Sequence, residues 1–106
     1  MNKNVIITGT SRGIGLELVK LFANQGNNVL ALSRNDKPIK QLNLSNVHAF
    51  SFDLGIQNDY IKVKEFINSE WKQVDILINN AAQTVRRPSG FYYHLMENEK
   101  LLQVTL

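Results

Sequence analysis

Thr8-Gly9-Thr10-Ser11-Arg12-Gly13-Ile14-Gly15 follows directly on the apolar run Val5-Ile6-Ile7, and the junction between the two decides the fold. A short β-branched run reads as a buried strand. Glycines then allow a sharp turn and a close approach of backbone to an anion. The next stretch, residues 13–24, places Ile14, Leu18, Leu21 and Phe22 on one helical stripe. A helix starting there offers free N–H donors and the positive end of its dipole. Strand, glycine turn and helix start together form a phosphate cradle. The spacing is G-x-x-x-G-x-G, not G-x-G-x-x-G, so on its own the pattern also fits a plain tight turn.

Outward from this junction the chain alternates strands and helices. Gln25-Gly26-Asn27-Asn28 stops the first helix. Val29–Leu32, Val47–Phe52 and Val74–Ile78 read as further buried strands. A short helix is expected over Ile39–Leu44, and a long one over Asp59–Trp71 with Trp71 capping its core face. A last helix is expected over His94–Leu106, although its apolar spacing is ragged. Continuous apolar strands alternating with helices imply a parallel sheet covered on both faces. The expected class is α/β: a three-layer, doubly wound parallel sheet of about four strands in the order 3-2-1-4. Ligands of such sheets lie beyond the carboxyl ends of the strands, at the switch in strand order. Gly9–Gly15, Ser33-Arg34, Asp53-Leu54 and Asn79–Ala82 all fall at strand carboxyl ends, so four loops converge on one edge.

Composition narrows the possibilities. The chain has 106 residues, enough for one small domain. Its 43% hydrophobic and 20% charged content fits a folded soluble protein and not a disordered one. With no cysteine, disulfides, thiolate nucleophiles and cysteine-held metals are excluded, which fits a cytoplasmic setting. His48 and His94 stand alone without ligand spacing, so no metal site is expected. The net charge of +3 suits solubility or an anionic ligand, but the basic residues form no long block that would favour nucleic acid. Met1-Asn2-Lys3-Asn4 shows no signal-peptide pattern, and no apolar run approaches membrane-spanning length.

These residues resemble the short-chain dehydrogenase/reductase family. Its T-G-x-x-x-G-x-G motif is matched by Thr8 to Gly15, its N-N-A-G motif by Asn79-Asn80-Ala81-Ala82, and its acidic pair after strand 3 by Asp53-Leu54. The resemblance covers the chain but only the N-terminal half of a typical member, with a Rossmann-like fold. It implies that Gly9, Thr10, Ser11, Arg12, Gly13, Ile14 and Gly15 wrap the pyrophosphate of a dinucleotide. Asp53 would bond the adenine amino group, with Leu54 beside the ring. Asn79, Asn80 and Ala81 would pass the adenosine ribose and tie strand 4 to its neighbours. Ala82 departs from the family's glycine.

Cofactor choice can be argued from charge. NAD users place a carboxylate at the end of strand 2 for the ribose hydroxyls. Ser33 and Arg34 stand there instead, and Arg12 lies in the glycine turn. Arginine matches a phosphate dianion bidentately, so NADP(H) is favoured over NAD(H). Asp36 complicates this, because a shifted loop would bring it to the ribose.

By resemblance the chemistry is hydride transfer between nicotinamide and a carbonyl or alcohol. The catalytic serine and Tyr-x-x-x-Lys of the family are expected to be lacking, so no catalytic residue is assigned and the chain alone is expected to be inactive. Tyr92 and Tyr93 are followed four residues on by Met96 and Glu97, and Thr105 falls where the family has an asparagine. Arg86-Arg87 suits a solvated loop. A truncated sheet would leave strand 4 as an open apolar edge, inviting a homo-oligomer or a complementary chain. The alternatives are a non-catalytic dinucleotide-binding or interaction module, and a fragment of a longer reductase.

Overall fold

Five parallel strands form one sheet in the order β3-β2-β1-β4-β5. The computed structural model describes residues 2–53 and 56–80 and the backbone of 102–105. Along the chain run β1 (Asn4–Thr8), α1 (Gly13–Asn24), β2 (Asn28–Ser33), α2 (Lys37–Lys40), β3 (Val47–Ser51), α3 (Gln57–Phe66), a π-helical turn (Ile67–Trp71), β4 (Ile76–Asn79) and β5 (Leu102–Thr105). The expected order 3-2-1-4 is present, and the switch in direction lies between β1 and β4.

The strands are apolar throughout because both faces are covered. Alternate side chains serve opposite faces. Ile6, Leu30 and Leu77 pack with Val63 of α3, Ile67 and Val74. Val5, Ile7, Val29, Ala31 and Ile78 pack with Val19 and Ala23 of α1 and Ile39 of α2. This makes three layers: one helix pair, the sheet, and α3 with its π-helical extension.

Helix α1 corrects its expected stripe. Leu18 and Phe22 of that stripe pack against the core, but the residues α1 buries are Gly15, Val19 and Ala23, whereas Ile14 is 65% exposed and Leu21 51% exposed. Small side chains face the sheet because α1 starts in close contact with β1, and larger ones would hold it off. Helix α2 is a single turn, Lys37–Lys40, and not the expected Ile39–Leu44; the chain then turns, with Asn43 in the left-handed region at φ 52°. The long helix after β3 begins two residues early and changes pitch at Ile67. Phe66 and Trp71 meet edge to face there, with ring centroids 5.4 Å apart. Residues five apart diverge by about 140° on an α-helix, and a π-helical turn brings them to one side. Trp71 thus caps the core as expected, packed against the α3 side of the sheet.

Two expectations fail at the end of the chain. Residues 102–105 form a strand, not part of a helix, and Ile76–Asn79 pair in register with Leu102–Thr105. Leu102-Gln103-Val104-Thr105 alternates apolar and polar residues and carries two β-branched side chains, a strand pattern. Strand β4 is therefore interior, its open edge does not exist, and assembly through that edge has no free ladder to use. Among the described residues the sheet runs from β3 at one end to β5 at the other.

At the amino ends of the strands a set of amides holds the register. Asn28 Nδ2 donates to Asn4 Oδ1 at 3.0 Å, Asn4 Nδ2 donates to Gln73 O at 3.1 Å, and the Asn4 N–H donates to Asp75 Oδ2 at 2.8 Å. The carboxyl ends are consequently level, with Thr8 beside Leu32, Ser33 beside Ser51 and Asn79 beside Thr105.

Candidate dinucleotide-binding site

The glycine loop leaves β1 at the switch point and turns into α1. Gly9 and Gly13 both take positive φ, 67° and 60°. Around Gly13 a side chain would meet nothing within 4 Å, so this turn faces open space. Gly15 is the opposite case. A Cβ there would run into the Gly9 carbonyl and come within 2.7 Å of Asn80 Nδ2. One glycine provides room above the loop, the other the close helix-to-strand contact beneath it.

The N-terminus of α1 carries no side-chain cap and no acidic residue in its first turn. Its N-cap position is Arg12, in extended backbone, and Arg12 is exposed. Free N–H groups, the positive dipole end and a guanidinium therefore meet at one place. Ser11 is half-buried, while Ile14 is 65% exposed beside the loop. Thr10 is fully buried and its hydroxyl donates to Leu32 O at 3.2 Å. It braces the loop against β2.

The asparagines after β4 brace the loop from the other side. Asn80 Nδ2 donates to Gly9 O at 3.0 Å. Buried Asn79 accepts a hydrogen bond from the Thr8 hydroxyl, Oγ1 to Oδ1 3.1 Å. The expected tie between strand 4 and its neighbour is present, and it reaches the glycine loop itself. Ala81 and Ala82 lie outside the described residues.

After β2 the chain is shaped by short bonds. Buried Ser33 donates its hydroxyl to Asn35 O at 2.7 Å, and Asn35 Oδ1 accepts the Lys37 N–H at 3.2 Å. The end of β3 grips the same loop: the Phe52 N–H donates to Ser33 O at 2.7 Å, and Ser51 Oγ donates to Arg34 O at 3.3 Å. Arg34 is exposed, and neither it nor Arg12 is in an ion pair among the described residues. Asp36 pairs with Lys40 at 3.0 Å.

Asp53 is half-buried at the next loop, and its N–H donates to Asp59 Oδ2 at 2.9 Å. Asp59, in the first turn of α3, is a residue that sequence reasoning misses. An acid opening a helix is the available signal. Leu54 lies outside the described residues, as do Arg86, Arg87, Tyr92, Tyr93 and His94. Among the described residues no group of His, Cys, Asp or Glu side chains could hold a metal. No described helix is long and apolar enough to cross a membrane.

One sequence expectation needs correcting. A Tyr-x-x-x-Lys spacing does occur, at Tyr60 and Lys64 of α3. Tyr60 packs edge to face on Phe52, ring centroids 5.4 Å apart, and Lys64 is exposed. The pair flanks β3, which is separated from β1 by β2. Tyr60 is also packed against the core that α3 shares with β1, β2 and β4.

Comparison with known proteins agrees with this geometry. The sequence model of a family described as short chain dehydrogenase matches residues 3–105. The 3-oxoacyl-(acyl-carrier-protein) reductase FabG of Chlamydia trachomatis is 36% identical over 92 residues, covering 79% of this chain and 37% of that protein. An uncharacterized oxidoreductase of Bacillus subtilis, DltE, is 33% identical over 82 residues, 76% of this chain and 32% of its own length. Among solved structures, a 4-hydroxyisoleucine dehydrogenase complexed with NADH superposes with a TM-score of 0.64 at 26% identity, over 73% of this chain and 32% of that one. The chain spans about a third of the length of these relatives.

Proposed function

The chain belongs to the short-chain dehydrogenase family, and from that premise we propose that it binds a nicotinamide dinucleotide at the glycine loop, with NADP(H) favoured over NAD(H). The observation that carries this reading is the uncapped start of α1 below an open turn at Gly13, set at the switch in strand order. A pyrophosphate would sit over Gly9–Gly15 on backbone N–H groups, with Thr10, Asn79 and Asn80 holding the loop in shape. Ser11, Arg12 and Ile14 would line its outer side. Asp53, Leu54 and Ala81 would meet the adenosine.

The preference for NADP(H) rests on charge. Arg34 stands exposed past the end of β2, and Arg12 exposed at the helix start. A guanidinium bonds a phosphate dianion strongly, and a 2′-phosphate is the group that separates the two cofactors. Ser33 contributes by shaping the loop, since its hydroxyl already donates to Asn35.

The bound cofactor would supply hydride for a carbonyl, or accept it from an alcohol. The proton-transferring group is assigned to no described residue, Tyr60 included. Freedom from cysteine suits work in the reducing cytoplasm.

Calorimetric titration of the protein with NADPH and NADH tests the reading. Saturable binding of both, with NADPH at least about tenfold tighter, is expected from one added charge-assisted phosphate contact. Binding of neither, or a preference for NADH, overturns it.

A further inference from the structure

The stretch Ser33 to Lys40 holds one carboxylate, Asp36, among three cations, Arg34, Lys37 and Lys40. A carboxylate just past the second strand is what an NAD site uses to accept the ribose hydroxyls, and what repels a 2′-phosphate. Asp36 lies three residues beyond the end of β2, yet its oxygen is engaged by Lys40 Nζ at 3.0 Å. The acid is the more enclosed partner, with its side chain 23% exposed against 62% for Lys40.

Short bonds shape the loop on either side of Asp36, and the Lys40 ion pair is what holds its carboxylate. Ser33 is fixed to Asn35, Asn35 to the Lys37 N–H, and Arg34 O to Ser51. The one turn of α2 sets Lys40 one helical step from Asp36, the i, i+4 spacing at which such pairs meet.

We propose that Lys40 is a positioning residue for cofactor choice: by holding Asp36 in an ion pair, it removes the loop's only carboxylate as a ribose ligand and leaves Arg34 to face a 2′-phosphate. This rests on the reading that the site binds NADP(H). Lys40 acts through Asp36 and touches no cofactor atom. Freed of Lys40, Asp36 would offer a bare carboxylate to the ribose hydroxyls and oppose the phosphate of NADPH.

Dissociation constants for NADPH and NADH, measured by calorimetry on wild type, Lys40→Gln, Lys40→Arg, Asp36→Asn and the double variant, test the idea. Lys40→Gln should lower the NADPH-over-NADH ratio by about two- to fivefold, the scale of one partly exposed ion pair. Lys40→Arg should keep the wild-type ratio. In the Asp36→Asn background Lys40→Gln should change the ratio no further. If Lys40→Gln instead loses NADPH affinity equally in the wild-type and Asp36→Asn backgrounds, the proposal is overturned, because Lys40 would then act on the phosphate directly. An unchanged ratio in Lys40→Gln would overturn it as well, while wild-type preference for NADPH left the underlying reading intact. A wild type without that preference would sink the reading itself, and this inference with it. Thermal melts of each variant separate these results from unfolding.

Discussion

Gly13 and Gly15 stand two residues apart and should respond differently to the same methyl group. At Gly15 an added Cβ meets the Gly9 carbonyl, which is part of the backbone and tied to Asn80. Gly15→Ala should cost about 3 kcal/mol or more, the upper range for overpacking. For a domain of this size that lowers Tm by more than about 12 °C in scanning calorimetry. At Gly13 the space is open, and only the positive φ of 60° penalises alanine. Gly13→Ala should cost about 1–2 kcal/mol. It should nonetheless remove NADPH binding, because its methyl occupies the space a pyrophosphate needs; unchanged affinity would place the phosphates elsewhere. If the proposed reading holds, Arg34 should separate the cofactors at the same scale. Arg34→Ala should weaken NADPH about ten- to a hundredfold, as loss of charge-assisted bonds does. NADH should change by no more than about twofold, and equal losses for both would mean Arg34 serves the loop and not the phosphate.

The braces between elements govern whether the cradle is held ready before a ligand arrives. Asn80 joins the end of β4 to the glycine loop through one bond of 3.0 Å. Asn80→Ala should cost about 1 kcal/mol, a fall in Tm of roughly 4–8 °C. Its effect on NADPH affinity should exceed what that small destabilisation explains, since the loop loses its fixed position. Calorimetry and titration of one sample compare the two directly. At this scale the strands were legible because buried parallel strands show in sequence as unbroken apolar runs, and Val5-Ile6-Ile7 and Val29–Leu32 do. The glycine loop was legible because its backbone demands leave only glycine at Gly9 and Gly13. The buried face of α1 was half legible, since Leu18 and Phe22 of the apolar pattern pack on the core while Ile14 and Leu21 are exposed and Gly15, Val19 and Ala23 make the closest contact. Asp59 and Lys40 carried only generic signals, an acid opening a helix and an i, i+4 pair, and neither says which backbone or loop the residue serves. The Tyr60–Lys64 spacing shows the converse, a matching pattern whose tyrosine is engaged in core packing.

At the scale of the molecule, the fifth strand changes what the sheet exposes. Strand β4 has two apolar, nearly fully buried residues, Leu77 and Ile78, and pairs with β1 on one side and β5 on the other. An open parallel edge of that kind is a template for another chain. Residues 102–105 close it with four paired positions, Leu102 to Thr105. The strand was missed because its short apolar-polar alternation follows a stretch of mixed helical spacing, and because pairing with β4 is a tertiary event. The consequence can be checked by proline. In a parallel ladder successive residues turn their N–H groups to opposite sides, so prolines at both 103 and 104 must remove one donor facing β4. Gln103→Pro with Val104→Pro should detach β5 and leave the other four strands, their two core faces and the glycine loop in place. Light scattering should then show the double variant gaining mass with concentration where wild type does not, because β4 has become a free edge. Cofactor affinity should fall less than stability does, since the loop braces run through β1, β2 and Asn80. A double variant with unchanged mass and unchanged melting would mean that β4 is covered by something other than β5.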